Sequence, residues 1–268
     1  MKTLSKKIIS LFLALTMAFS LSASAFAATN ENDPDILQVL IVSDDGCFLY
    51  QGDNADTAFN DLNNGTLVNS PKNKIASSPV LHNTSSVVTD PQPTPGIEPY
   101  SLTYKYRFIP NANNKTKVYG NYSIISDVWG NDSSITQDST FSFTASASGS
   151  VNRELSGKYL DAVEEKIGTS YTKTFSTTTS ITNKVPAHKR VWLQYKPEYV
   201  RYSGTSQKYF ITRRSHQLIV ENSCKVDILE ASERSINLAG KTLTLPNGAY
   251  AWCEDNDYLS SRPPVIKH

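Results

Sequence analysis

The sequence holds little with which to do covalent chemistry. Its 268 residues include only three cysteines and four histidines. There is no G-x-S-x-G nucleophile turn, no H-E-x-x-H zinc motif, no C-x-x-C pair and no glycine-rich phosphate loop. The adjacent Glu164 and Glu165 fit the solvated face of a helix. Glu254, Asp255 and Asp257 cluster without the ligand loop that calcium requires, so they read as a solvated turn. No cofactor and no metal are expected, and the chain reads as non-enzymatic. A hydrolase whose site is assembled from scattered residues ranks third, behind the two non-enzymatic classes given below. An excess of one charge is also missing. The net charge of +1 falls to about −2 once three N-terminal lysines are removed, which argues against a general nucleic-acid binder and predicts no nucleic-acid partner.

Long apolar runs are confined to the start. Lys2, Lys6 and Lys7 precede an apolar stretch from Ile8 to Phe19, and Ala25-Phe26-Ala27 offers small residues two apart. This is the pattern of a secretory signal over 1–27, cleaved after Ala27. No cysteine follows that site, which argues against a lipid anchor. Nothing later is apolar for long enough to cross a bilayer as a helix. The expectation is a secreted, extracellular protein of a Gram-positive-like secretor.

Three cysteines in an exported chain allow at most one internal pair. Cys224 and Cys253 are candidates for a disulfide across a loop of about thirty residues, worth roughly 3 kcal/mol in the chain-entropy model. The alternative is that Cys47, Cys224 and Cys253 are all plain buried thiols. No histidine lies near Cys47 to make it a nucleophile.

What is present is hydroxyl and aromatic. Serine, threonine, asparagine and tyrosine abound, a composition suited to strands and turns. Residues 28–62 form a small acidic segment, read as a pro-region, spacer or add-on. Within it Ile36 to Tyr50 reads as a strand pair turning at Asp44-Asp45-Gly46. Residues 63–99 read as a linker, because Pro71, Pro79, Pro91, Pro93, Pro95 and Pro99 interrupt regular hydrogen bonding. Residues 100–268 form the main β domain. Its strands are expected over Leu102–Phe108, Val118–Trp129, Arg190–Tyr195, Lys208–Arg213, Gln217–Val220 and Cys224–Leu229, with a terminal hairpin around Asn247-Gly248. The fold class that follows is mainly β, an antiparallel sandwich or elongated sheet with one short amphipathic helix.

Two segments carry most of the pattern. From 139 to 151 the even positions Thr140 to Ser150 are all Ser or Thr, and the odd ones include Phe141, Phe143, Ala145 and Ala147. From 171 to 185 the even positions Thr172 to Thr182 are again hydroxylated, and the odd ones include Phe175 and Ile181. A period of two predicts strands with one wet and one apolar face. About thirteen residues, tilted as in a barrel, span on the order of 30 Å, the thickness of a hydrocarbon core. The two strands suit either an exported β-sheet protein or a membrane-inserting hairpin. Between them, Tyr159, Ala162, Val163 and Ile167 at three- and four-residue intervals, with Leu155 before them, predict an amphipathic helix closed by Gly168.

A second feature is the stretch from Lys184 to His216, with a net charge of about +7 and interleaved rings. Lys189, Arg190, Trp192, Tyr195, Arg201, Tyr202, Arg213 and Arg214 are its candidate surface-binding residues. Basic heads beside amphipathic rings suit an anionic membrane or an acidic cell-wall polymer. The bland account is that half the rings are core and the charges coat a sheet face.

Over Ser139 to about Gly204 the chain resembles the aerolysin-like β-pore-forming proteins of the epsilon-toxin and Mtx2 type. The resemblance lies in a hydroxyl-striped strand, an insertion, a second striped strand, and then Val185-Pro186 leading into a further strand. It implies a soluble, elongated β structure that self-oligomerises on membranes and inserts one hairpin per subunit into a shared barrel. Phe141, Phe143, Ala145, Ala147, Phe175 and Ile181 would then face lipid. The charged helix between the strands departs from the short apolar tip usual in that family. The alternative function is a secreted surface- or matrix-binding module using residues 184–216.

Overall fold

The computed structural model describes residues 34–67, 74–75, 77–78, 103–151, 157–168, 173–212, 215–238 and 240–268. The signal segment, most of the linker, Leu155, Arg213 and Arg214 lie outside the described residues. In chain order the elements begin with β1 (Asp35–Ser43), β2 (Gly46–Gln51), α1 (Asp53–Asn64), β3 (Lys74–Ile75) and β4 (Ser77–Ser78). They continue with β5 (Lys105–Tyr119), β6 (Ser123–Ile124), β7 (Trp129–Gly130), β8 (Gln137–Ser148), β9 (Ser150–Val151) and α2 (Gly157–Ile167). The last are β10 (Thr174–Val185), β11 (Arg190–Ile211), β12 (Leu218–Ala231), β13 (Glu233–Leu238), β14 (Lys241–Pro246) and β15 (Gly248–Asp255). The fold is mainly β and its paired strands are antiparallel.

The spine is β11, whose 22 residues reach about 70 Å at the rise of a strand. Arg190–Pro197 pairs with β15 on one side and with β6 and β7 on the other. From Glu198 onward the partners become β5 and β12. β11 thus joins two working halves. In the first half the sheet order is β3-β2-β1-β15-β11, so β1 lies between β2 and β15. Residues 35–51 therefore share one sheet, and one core, with the C-terminal strands.

This half is buried on both faces, which explains the near-continuous apolar runs of β1 and β15. Alternate residues go to opposite sides. Val39, Ile41, Trp192, Ala251 and Cys253 meet α1. Leu40, Val42, Leu193, Tyr195, Tyr250 and Trp252 meet a second layer made by β8, β10, β13 and β14. In the second half α2 lies on the ribbon, with Val163 packed against Phe108, Val226 and Ile228.

The mainly β, antiparallel fold with a short amphipathic helix is as expected, and a second helix, α1, accompanies it among the described residues: Ala55, Ala58, Phe59 and Leu62 repeat at helical spacing and Gly65 ends it in the left-handed region. Two expectations are corrected. Cys47, Cys224 and Cys253 are thiols, because Cys224 sits under α2 while Cys253 sits under α1, in separate cores. Asn247-Gly248 is a corner between sheets and makes no hairpin: β14 pairs with β13, whereas β15 pairs with β1 and β11. Asn247 is fully buried there, and its side-chain amide donates to Asp44 and Ser232.

Candidate functional site

β8 and β10 form a sheet of their own. Twelve residue pairs run without a bulge from Gln137↔Val185 to Ser148↔Thr174. Along β8 exposure alternates at every residue from Thr140 to Ser148. The even side is wet, and its hydroxyls pair across the strands: Thr140 with Thr182 at 3.2 Å, Thr144 with Thr178 at 2.9 Å and Ser148 with Thr174 at 2.9 Å. These cross-strand pairs hold the register that the apolar stripe alone would leave to a two-residue slip.

The odd side is interior. Phe141, Phe143, Ala145, Ala147 and Phe175 are buried, and Ile181 is half-buried against the same core. Phe141 stands edge-on to Trp252 at 4.8 Å, and Phe143 to Tyr250 at 6.3 Å. The six residues singled out in the sequence are thus brought together on one face. That face is sealed by the first-half sheet and by β13–β14. It is not covered by α2, which packs one layer away on β5 and β12.

Side chains hold this hairpin down more than backbone does. Among the described residues neither strand joins another in a ladder; β8 makes one isolated bridge, Phe143 with Ser126. The main-chain N–H of Thr144 donates to Ile125 at 3.1 Å. On β10 the Thr177 hydroxyl donates to the carbonyl of Thr244 at 2.6 Å. Thr177 stands at an apolar-parity position, and its hydroxyl is satisfied there by this carbonyl of the body. At the open end Asn131, 2% exposed, donates to the carbonyls of Ile135, Val185 and Pro186 and so clasps the two roots of the hairpin. No local sequence pattern marks this role of Asn131.

The basic, aromatic stretch does not form one exposed face. Trp192 and Tyr195 are core residues, the latter with its hydroxyl donating to the carbonyl of Asn247. Arg190 is buried and donates through two nitrogens to Asp255. Lys189 pairs with Glu254 at 3.0 Å. Arg201 is exposed but held by Asp227, and Tyr202 packs with the α2 cluster. Period two, applied to a strand buried on both faces, hides both parities.

A buried carboxylate, Glu198, marks the junction between the halves, and a second, Glu254, sits at the far end of the first-half sheet. Glu198 is 2% exposed, accepts from the Tyr119 hydroxyl at 2.8 Å and lies 3.9 Å from the Lys117 ammonium. Burial pushes its carboxyl above the usual carboxylate value, with Lys117 and the Tyr119 hydrogen bond pulling the other way. Glu254 is raised by burial in the same sense, opposed by Lys189. No group of three or more metal-ligating side chains occurs among the described residues. No described helix is long and apolar enough to cross a membrane, which says nothing of strands.

No family model matches the chain, and no curated protein matches it in sequence. Among solved structures it is similar to a candidate pore-forming toxin from Bacteroides vulgatus, with 12% identity, a TM-score of 0.24 and 62% of each chain covered. It is similar also to the parasporin-2 toxin of Bacillus thuringiensis, described as recognising cancer cells. There the identity is 14% and the TM-score 0.24, over 57% of this chain and 66% of that one. A third is a non-toxic crystal protein of Bacillus thuringiensis, at 11% identity and a TM-score of 0.16, over 56% of this chain and 84% of that one. The chain thus spans less than two thirds of the first two.

Proposed function

We propose that this chain is an exported, toxin-like, non-enzymatic β protein whose β8–β10 hairpin leaves the body and enters a lipid bilayer, several copies closing one barrel. The observation that carries the reading is the hairpin's separateness. It has its own two-stranded sheet, an unbroken register, one hydroxylated and one apolar face, and attachment chiefly through side chains.

The energetics decide when it opens. A buried phenylalanine contributes roughly 1.5–3 kcal/mol, so Phe141, Phe143 and Phe175 together oppose release into water by roughly 5–9 kcal/mol. The hairpin stays closed in solution. Hydrocarbon returns most of that term, because the same rings leave water there as well. A lone hairpin in lipid still exposes unpaired backbone along both edges, so the end state needs neighbouring copies. The hydroxyl side would then line water.

Cross-linking the hairpin to the body tests this. Ser126→Cys with Phe143→Cys joins β8 to the body at the isolated antiparallel bridge, where the Thr144-to-Ile125 hydrogen bond makes these two residues a closely spaced, non-hydrogen-bonded pair. Oxidised protein is expected to bind but release no dye from anionic vesicles or receptor-bearing membranes, and reductant is expected to restore release. Equal leakage from oxidised and reduced protein would overturn the reading, as would a folded wild-type chain that leaks from neither membrane.

A further inference from the structure

Beyond Glu198 the three strands β5, β11 and β12 are covered on one face and open on the other. Directly opposed residues of antiparallel strands share a face, so the register sorts their side chains. Phe108, Val226 and Ile228 belong to the face under α2. The opposite face runs from Arg201 to Tyr209, eight residues or roughly 27 Å of strand. Arg107, Gln207 and Ser223 form one of its rungs, and Ile109, Thr205 and Lys225 the next. Gly204 and Ser206 are buried on the α2 side, while the odd residues of β11 keep contact with solvent. No described element covers them.

This face is polar in the middle and positive around it. Ser203, Thr205 and Gln207 occupy the centre. Lys105, Arg107, Arg201 and Lys225 stand on it against one carboxylate, Asp227. Arg201 pairs with Asp227 and holds it below the usual carboxylate range. Lys105, Arg107 and Lys225 make no ion pair among the described residues. Arg107 is already held in place. Its Nε and Nη2 donate to the Gln207 amide oxygen at 2.9 and 2.7 Å, and its guanidinium lies 5.1 Å from the centre of the Tyr209 ring. A guanidinium fixed in this way loses little freedom on meeting an oxyanion.

The shape and chemistry of the face separate its conceivable occupants. A protein partner calls for a charge-poor, apolar centre, and this centre is hydroxyl and amide. A bilayer is flat, but the face ends at a step. The far end of the hairpin packs on the same side, with Ala147 and Phe175 against Tyr199 and Ala231, and a packed sheet stands about 10 Å high. A linear anionic chain needs neither an apolar centre nor a flat approach. The spacing of the cations selects among such chains. Lys105 and Arg107 are two residues apart on one strand, roughly 7 Å. Arg107 and Lys225 are two strands and one such step apart, roughly 12 Å. A glycerol-phosphate repeat has six backbone bonds, as two amino-acid residues do, so its charges also recur at about 7 Å. We propose that this face holds a linear phosphodiester polymer of the poly(glycerol phosphate) kind, its phosphates meeting Lys105, Arg107 and Lys225. The hairpin reading uses neither this face nor this partner, so either can fail alone.

The test is fluorescence anisotropy of end-labelled, lipid-free poly(glycerol phosphate) titrated with the protein. Lys105→Gln with Arg107→Gln and Lys225→Gln is set beside a charge-matched control, Lys74→Gln with Lys158→Gln and Lys166→Gln, exposed cations of β3 and α2. Wild-type binding is expected, and is expected to weaken with added salt. The first triple variant is expected to bind about tenfold more weakly, because three exposed charge pairs are lost together. The control is expected to stay within about twofold of wild type, since its cations lie beyond screening distance of the face. Equal weakening in both triples would reduce the contact to bulk charge and overturn the proposal. A folded wild-type chain that ignores the polymer would also overturn it, while leaving the hairpin reading to be judged by dye release. Tighter binding to heparin at equal charge would overturn the phosphodiester assignment. Binding to phosphatidylglycerol vesicles without binding to the polymer would make the face a membrane contact and overturn it as well. Should the triple variant fold poorly, Lys105→Gln with Lys225→Gln, both at exposed positions, serves instead, and unchanged affinity overturns the proposal.

Discussion

If the hairpin is to leave, α2 must leave first, because it lies within the connection between β8 and β10 and is packed on the opposite half of the molecule. The perturbation that isolates this step is Val163→Ala. Val163 is fully buried against Phe108, Val226 and Ile228. Removing its two methyls costs roughly 1.5 kcal/mol in transfer, and the residual cavity brings the total to about 2 kcal/mol. If α2 opens as a unit while the sheets stay formed, its open population rises roughly thirtyfold. Native-state hydrogen exchange of the amides from 162 to 167 reads that population directly. Val39→Ala is the matched control, an equally buried valine in the core beneath α1. It is expected to lower global stability by a similar amount and to leave the α2 amides within about twofold of wild type. Dye release is expected to start earlier in Val163→Ala and not in Val39→Ala. The reasoning is refuted if α2 exchange does not respond to Val163→Ala, or if both variants accelerate it equally. Either result means that α2 opens only when the whole molecule does.

Four further outcomes are expected. Glu198 has a raised carboxyl value in the folded state, so the unfolded chain releases that proton first as pH rises from about 4.5; stability falls through the window up to the raised value. Glu198→Gln is expected to reduce that fall in melting temperature against pH, leaving the part due to Glu254. Gly248→Ala is expected to cost about 3 kcal/mol by chemical denaturation, because an added Cβ meets the Lys196 carbonyl at 2.4 Å and the Tyr195 ring at 2.5 Å. Thr144→Val with Thr178→Val removes an exposed hydroxyl pair, so the soluble fold is expected to lose at most about 1 kcal/mol, while single-channel conductance in planar bilayers falls. Deleting residues 28–62 strips β1 from β15 and α1 from its core, and circular dichroism is expected to show loss of the cooperative transition.

Much of the hairpin was legible before any fold was known. The parity of Phe141, Phe143, Ala145 and Ala147 against Thr140, Ser142 and Thr144 is local, and it survives as alternating exposure. The α2 stripe was legible for the same reason. The role of Thr177 was not, because its partner is a carbonyl 67 residues away. Nor was the fate of Arg190, Trp192 and Tyr195 legible, since a basic, aromatic strand looks alike whether it is a binding face or the middle of a sandwich.

The order of amino acids alone determined the strand periodicities, the two-faced character of residues 139–151 and 171–185, and the amphipathic helix between them. Those follow from backbone geometry and nearest neighbours, which a linear pattern carries in full. Tertiary structure decided which apolar faces meet. It set Phe141 against Trp252, put Cys224 and Cys253 in separate cores, and turned Asn247-Gly248 into a corner between sheets. Among the described residues it also left the hairpin outside every ladder but its own. Such choices depend on the burial available to all elements at once, and no single stretch of the chain contains that sum.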